Sequence, residues 1–394
     1  MTGPLAGIRV IDTTAYASGP LATVMLADQG ADVIKVEPPG TGDLMRTIGA
    51  TRQGMSAIFA TLNRNKRSIA LDIQTSDGQA IAQRLAEGAD VFVHNFRPST
   101  PARLGLDEMT LRDRNQRLIY VAISGFGGAG PYRDRRAYDS VVQAMSGVAA
   151  HQADPGTGVP QFIRNAICDK TTGLVTSQLV TSALFARERE GTGQRVDVSM
   201  LHTALYVMWS DGMQNVAWLS PDADSAARAT QPPVRRTSDG FLAISTNQDV
   251  EFRALCGVLD LDELADDPRF ALAGDRSRNS TELWDLVEPV ILTWSTEQLS
   301  RRLDEHDIPY SVVQPLDHIH EAEQIVANDL LAVVDQPPAG PFRTVRPVGQ
   351  IDGAYGDIRR AAPLLGEHSA EVLREIGVDE AEYRRLVDTG VVGE

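Results

Sequence analysis

The sequence predicts an α/β protein built on a doubly wound, open parallel sheet, with a second and smaller α/β region further along the chain. Two observations carry this. Over the first 125 residues, short apolar runs alternate with helix-length segments, and parallel strands require crossovers of that kind. After a mostly helical middle, the polar, proline-rich stretch 220–240 marks a linker, and a shorter strand-and-helix pattern follows it.

The elements follow in order. GIRVIDT (7–13) is a strand-like run bounded by glycine and a polar loop. Gly19 and Pro20 then suit the start of a helix that runs to the Gly30 stop, and ADVIKVE (31–37) is the next strand. Further strands are predicted at RSIALDI (67–73), DVFVHNF (90–96) and RLIYVAIS (117–124), with a helix over 77–87 between the first two. From Tyr138 to about Met213 the spacing is helical; Leu174, Val175, Leu179, Val180, Leu184 and Phe185 line one face of a helix over 169–188, and a second spans 199–213. Beyond the linker, FLAIST, a helix near 249–257 and helices around 279–305 form the smaller region, and the tail holds a strand at FRTVRPV.

Composition excludes several classes of function. The 394 residues carry 37 basic and 53 acidic side chains, a net charge of −16, which argues against a nucleic-acid partner. No run of 18 apolar residues is present, so no membrane span is expected. The N-terminal segment reads as neither basic nor apolar, and two cysteines, Cys168 and Cys256, make no disulfide framework; the cytoplasm is the expected compartment. Lysine is scarce: Lys35, Lys66 and Lys170 are the only three, a pattern that composition bias alone explains.

Several patterns invite a chemical reading. Glu37 ends the second strand where a ribose-binding acid would sit, but the preceding loop reads TTAYASGP, without the glycines that let a pyrophosphate approach. His318 and His320 form a close pair without a third ligand, so no metal is expected. GFGGAGPY (125–132) is a glycine-rich loop after a strand, equally a phosphate cradle or a turn. Asp169 precedes a long apolar helix, where aspartate favours the N-cap position; the same position stabilises an exposed carboxylate that could attack an activated acyl group.

Taken together, PLAGIRVIDTT, SGP, GADVIKVEPPGTGD (30–43), NRNKRSIALDI (63–73), DVFVHNFRP (90–98), GFGGAGPY, DKTTG (169–173), GTGQRVDVSM (191–200) and PLLGEH (363–368) stand in a familiar order. The chain resembles, over nearly its whole length, the family III CoA-transferases, the group that includes formyl-CoA transferase, carnitine CoA-transferase and the α-methylacyl-CoA racemases. The resemblance implies a Rossmann-like large domain from residues 1–220 and 326–394, a small domain inserted at 225–325, and an interlocked homodimer. It implies Asp169 as a covalent nucleophile that passes through an aspartyl–acyl anhydride and an aspartyl-CoA thioester. A CoA thioester and a carboxylic acid are then the substrates, and no permanently bound cofactor is expected. By matching positions, Tyr16, Ala17 and Ser18 approach the thioester, Leu71 and Gln74 match the adenosine pocket, and Asn95, Phe96, Arg103 and Leu104 line the CoA. Arg136, Tyr138 and Met200 match positions near the CoA or acyl group.

Departures narrow the expectation. The racemases carry a histidine base where RRAYDSVVQ has Tyr138, which favours CoA transfer; an acyl-CoA racemase or isomerase acting by α-proton exchange is the alternative. Formyl-CoA transferase carries glutamine at the place of Ala17, arginine at Pro38, and a glycine run with no counterpart in 220–252. Oxalate or formate specificity is therefore not expected.

Overall fold

The computed structural model describes residues 3–154, 156–220 and 234–393. Among these, seven strands form the main sheet: β1 (Arg9–Asp12), β2 (Asp32–Glu37), β3 (Lys66–Leu71), β4 (Val91–His94), β5 (Ile119–Ser124), β6 (Arg195–Ser199) and β7 (Val392–Gly393). Their order across the sheet is β7-β3-β2-β1-β4-β5-β6, with β1 to β6 parallel and β7 antiparallel along β3. Register is set by the central strand: Val10 faces Val33 and Val91, and Ile11 faces Ile34 and Phe92.

Both faces of the sheet are covered, which is why its central strands read as nearly continuous apolar runs. One face buries Ile11, Ile34, Ile69, Phe92 and Tyr120 under α2 and the C-terminal helices Ser369–Glu375 and Glu380–Asp388; α2 is Ser76–Glu87. Alternate residues, Val10, Val33, Val91, Val93 and Val121, face α1 (Ser18–Asp28) and α4 (Ile167–Glu190). Two further helices frame the site, α3 (Asp139–Ser146) between these and α5 (Met200–Gly212) after β6.

α1 and α4 approach closely. A Cβ on Gly173 would lie 2.8 Å from the Ser18 carbonyl oxygen and 2.9 Å from the Leu21 Cβ, so a residue without a side chain is required one turn beyond Asp169. Strand order reverses between β1 and β4, and in open α/β sheets the crevice at the carboxyl ends of such strands is where ligands bind.

The predicted strands and helices are present with ends shifted by a few residues; α4 begins at Ile167 and ends at Glu190, capped by Gly191 in the left-handed conformation (φ 75°). β6 and β7 were not predicted. β6 is an edge strand whose exposed Arg195 and Asp197 pair with each other, so its sequence lacks an apolar run. Of FRTVRPV only FRTV falls in the strand Gly340–Val345, which pairs only with Leu331–Gln336 as a separate hairpin among the described residues.

The chain divides into two compact units, residues 1–208 with 329–394, and residues 209–328. The second contains a three-stranded antiparallel sheet, Arg235–Arg236, Phe241–Ile244 and Tyr310–Val312, over a core that includes Phe252, Leu255, Val287 and Leu299. Most of the predicted linker, 221–233, lies outside the described residues. Its last part is not linker: Arg235 is buried, pairs with Glu288 and lies 3.5 Å over the Trp284 ring.

Candidate active site

The loop from β1 to α1 is fixed from three sides. The Thr13 N–H and hydroxyl both donate to the Val93 carbonyl at 2.9 Å. Asn95, just past β4, brackets Ala15: its Nδ2 donates to the Ala15 carbonyl at 2.7 Å, and its Oδ1 accepts the Ala15 N–H at 3.1 Å. The Tyr16 N–H donates to Asp43 Oδ1 at 3.2 Å, which holds Tyr16 in the left-handed region at φ 68°. A non-glycine residue there costs about 1 kcal/mol or more, and such strain concentrates at functional sites.

A buried charge network lies beneath this loop. Lys35 Nζ meets Asp43 Oδ2 at 2.9 Å and donates to the Thr14 carbonyl at 2.8 Å, with both charged side chains at most 1% exposed. Lys66 Nζ donates to Asp12 Oδ2 (3.0 Å), Thr23 Oγ1 (2.8 Å), Asn63 Oδ1 (2.9 Å) and the Pro20 carbonyl (3.1 Å). Asp12 also accepts the Thr14 N–H, and the two lysines hold it well below the usual carboxylate range against the effect of burial. Two of the chain's three lysines thus support one loop, where a compact ammonium satisfies partners on all sides. Glu37 is occupied here too: it takes Arg46 at 2.8 Å through both oxygens and Ser68 Oγ at 2.7 Å, leaving no carboxylate for a ribose.

Asp169 is the third residue of α4, and the helix is capped by Ala166 without a side-chain bond. The N-cap reading of Asp169 is therefore wrong, because Ile167 and Cys168 start the helix ahead of it. Its carboxylate lies instead near the first residue of α1, where the polar groups of Ser18 favour its ionised form. The Asp169 N–H donates to Asp139 Oδ2 at 3.0 Å. Burial first, and the Asp139 charge second, push the Asp169 carboxyl up to about 6; Ser18 and Lys170 oppose them. The result is a carboxylate ionised at neutral pH and more basic than an ordinary aspartate.

In front of Asp169 opens a cleft of about 890 Å³. Of the positions the resemblance singled out, Tyr16, Ser18, Asn95, Phe96, Arg136, Tyr138 and Met200 line it. The Tyr16 and Tyr138 rings meet edge-on, 5.7 Å apart. Arg103 lines an adjoining hollow with Phe96 and Arg97. Four predicted positions lie outside the lining. Leu71 and Leu104 are buried in the core, so their side chains are packing residues; Ala17 caps α1 with its carbonyl to the Leu21 N–H; Gln74 is exposed in the turn after β3.

The cleft also holds Arg97, Arg133, Arg135, Arg164, Asp139 and Gln143, none of them among the site residues expected from the sequence. The arginine-rich YRDRR behind the glycine loop and the FRP after β4 were the available signals. Of the glycine loop itself only Gly125 reaches the cleft, and its Cβ would lie 2.2 Å from that of Ala137, so the glycine serves close packing. The Cys168 thiol is buried and pushed up to about 12, which makes it a poor nucleophile. His318 and His320 contact Glu321 in the second unit, and no group of three metal-ligating side chains exists among the described residues. None of the described helices is long and apolar enough to cross a membrane.

Comparison with known proteins agrees with this geometry. The family model described as "CoA-transferase family III" matches residues 5–369. A succinate–glutarate CoA-transferase of Agrobacterium fabrum is 34% identical, over 95% of this chain and 96% of the relative. A formyl-CoA:oxalate CoA-transferase of Streptomyces avermitilis is 34% identical over the full length of both. Among solved structures, a CaiB/BaiF family protein from Brucella suis superposes with a TM-score of 0.81 at 30% identity, over 95% of this chain and 100% of that one. The chain belongs to CoA-transferase family III and is an enzyme of that class.

Proposed function

We propose that the enzyme moves CoA from an acyl-CoA donor to a carboxylic acid acceptor, with Asp169 as covalent nucleophile. The observation that carries this is the placement of the Asp169 carboxylate: freed from helix capping, half-buried, and lining the cleft together with Ser18 at the N-terminus of α1. An Asp169 oxygen attacks the donor thioester carbonyl, the C–S bond breaks, and CoA leaves as thiolate from a mixed anhydride. The thiolate then attacks the aspartyl carbonyl and expels the donor acid as its carboxylate, giving an aspartyl-CoA thioester. The acceptor carboxylate repeats both steps in reverse and restores Asp169.

The tetrahedral oxyanions need donors, and a preorganised N–H is worth roughly 3 kcal/mol each. Ser18 at the start of α1 supplies an N–H and a hydroxyl next to the reacting carboxylate. Arg97, Arg136 and Arg164 line the cleft with no salt bridge among the described residues, which suits phosphates of CoA and a second carboxylate on the acceptor. Small dicarboxylic acids are the acceptors we favour, in keeping with the names of the relatives. Tyr138, at the place of the racemase histidine, brings no base for α-proton exchange. We extend the reading to a cytoplasmic, interlocked homodimer with the small domain inserted at 225–325; light scattering giving a monomer would contradict the dimer.

Trapping tests the nucleophile. After incubation with acyl-CoA, hydroxylamine or borohydride should modify the peptide that carries Asp169, and an unmodified Asp169 in a protein that turns over would overturn the mechanism. Asp169→Ala should lower turnover at least about a thousandfold while CoA affinity stays within a few-fold. Near-normal turnover in that variant contradicts the proposal, as does deuterium wash-in at the acyl α-carbon without CoA transfer.

A further inference from the structure

Asp139 stands in the cleft beside the nucleophile without a role in the chemistry described above. Its carboxylate makes two contacts from the first turn of α3. Oδ2 accepts the Asp169 N–H at 3.0 Å, and Oδ1 accepts Gln143 Nε2 at 2.5 Å. The first contact satisfies one of the free N–H groups that begin α4, in a helix whose own cap residue offers no side chain. The second ties the carboxylate to a rigid support. Gln143 is 2% exposed; its Oε1 accepts the Ile163 N–H at 2.9 Å and its Nε2 also donates to the Ile163 carbonyl at 3.1 Å. Asp139 is thus aimed at Asp169 by a buried amide that also fixes the segment leading into α4.

Resting on Asp169 as the covalent nucleophile, we infer that Asp139 is a positioning residue for it: it anchors the Asp169 backbone, and its charge disfavours the free Asp169 carboxylate relative to the neutral anhydride and thioester. The repulsion exists only while Asp169 is a carboxylate. It vanishes when an Asp169 oxygen bonds to the donor carbonyl and CoA leaves as thiolate, and it returns when the acceptor departs as its CoA thioester. Relief of that repulsion drives covalent capture at the cost of a less stable resting site. The titratable groups that act on Asp169 are Asp139 from the facing helix and Lys170 and Cys168 from its own, while the polar groups of Ser18 on α1 favour its ionised form. Lys170 acts in the opposite sense to Asp139, and Asp139 is the carboxylate that raises Asp169.

The test compares wild type with D139N, D139S and D139E. Asparagine keeps the shape and an oxygen for the Asp169 N–H, serine leaves a small neutral acceptor that folding tolerates if asparagine clashes with Gln143, and glutamate keeps the charge. Three quantities are read: the acid limb of kcat/KM, KM for acyl-CoA, and the fraction of enzyme carrying the aspartyl-CoA thioester by intact mass. In the two neutral variants the acid limb should move down by about one pH unit, and the ratio of adduct to free enzyme should fall about tenfold. KM should stay within about twofold, and D139E should recover the wild-type limb. An unmoved acid limb and an unchanged adduct ratio in folded D139N or D139S overturn the inference, while absence of any adduct in wild type overturns the nucleophile assignment instead.

Discussion

Asp169 must be ionised to attack and basic enough to attack well, and its surroundings set both conditions. With its carboxyl raised to about 6, kcat/KM should fall as pH drops through about 6, whereas an ordinary aspartate would hold activity to about pH 4. A pH–rate profile checks this. The same shift has a cost in stability. A carboxyl raised in the folded state favours folding when protonated, so its contribution is present below the unfolded value and lost as pH rises through about 6. Asp169→Asn, which removes the charge, should therefore add about 2 kcal/mol of stability at pH 7.5, read as a higher thermal midpoint, with the gain disappearing near pH 4. At this scale the sequence was legible by motif order alone. Asp169, Tyr16, Ser18 and Tyr138, singled out by the resemblance, line one cleft, but the bare pattern around Asp169 favoured a helix cap, because nothing in RNAICDK indicates that the helix opens two residues earlier. The side chains of Leu71 and Leu104 lie in the core; matching positions does not say which way a side chain points.

The helix pair α1 and α4 brings Ser18 to Asp169, and Gly173 sets their separation. Gly173→Ala places a methyl against the Ser18 carbonyl and Leu21, which should cost about 1–3 kcal/mol by denaturant unfolding and lower kcat more than it raises KM. The β1–α1 loop depends in the same way on buried charge. Asp43→Ala leaves Lys35 unpaired at zero exposure and frees the Tyr16 N–H, so about 3–5 kcal/mol of stability should be lost. Elements with apolar periodicity were readable, since burial on both sheet faces writes itself into composition. β6 and β7 were not: one is a charged edge strand, and the other is two residues long and exists through its pairing with β3. The scarcity of lysine also had no readable meaning until Lys35 and Lys66 were seen under one loop.

The whole molecule carries a net charge of −16, yet its cleft is lined by Arg97, Arg133, Arg135, Arg136 and Arg164. The global balance describes the protein in bulk and is silent about a polyanionic small molecule in the cleft. Fold order was legible as βαβ alternation, and the site falls at the reversal between β1 and β4 where that order places it. One inexpensive experiment tests the fold as a unit. With Lys35 and Lys66 fully buried and Lys170 exposed, an amine-reactive reagent should label Lys170 in the native protein and reach the other two only on unfolding. Peptide mapping of native and denatured samples reads this, and native labelling of Lys35 or Lys66 would contradict the buried network.

The most direct measurement follows oxygen through the nucleophile. In the double displacement, one carboxylate oxygen of the acceptor attacks the aspartyl thioester and stays on Asp169 when the thiolate takes the acceptor acyl group. Turnover with an acceptor acid labelled with ¹⁸O in its carboxylate should therefore leave ¹⁸O in the Asp169 peptide, and multiple turnovers should pass it on to the released donor acid. An Asp169 peptide without ¹⁸O after many turnovers would mean that acceptor and donor react without the aspartate between them.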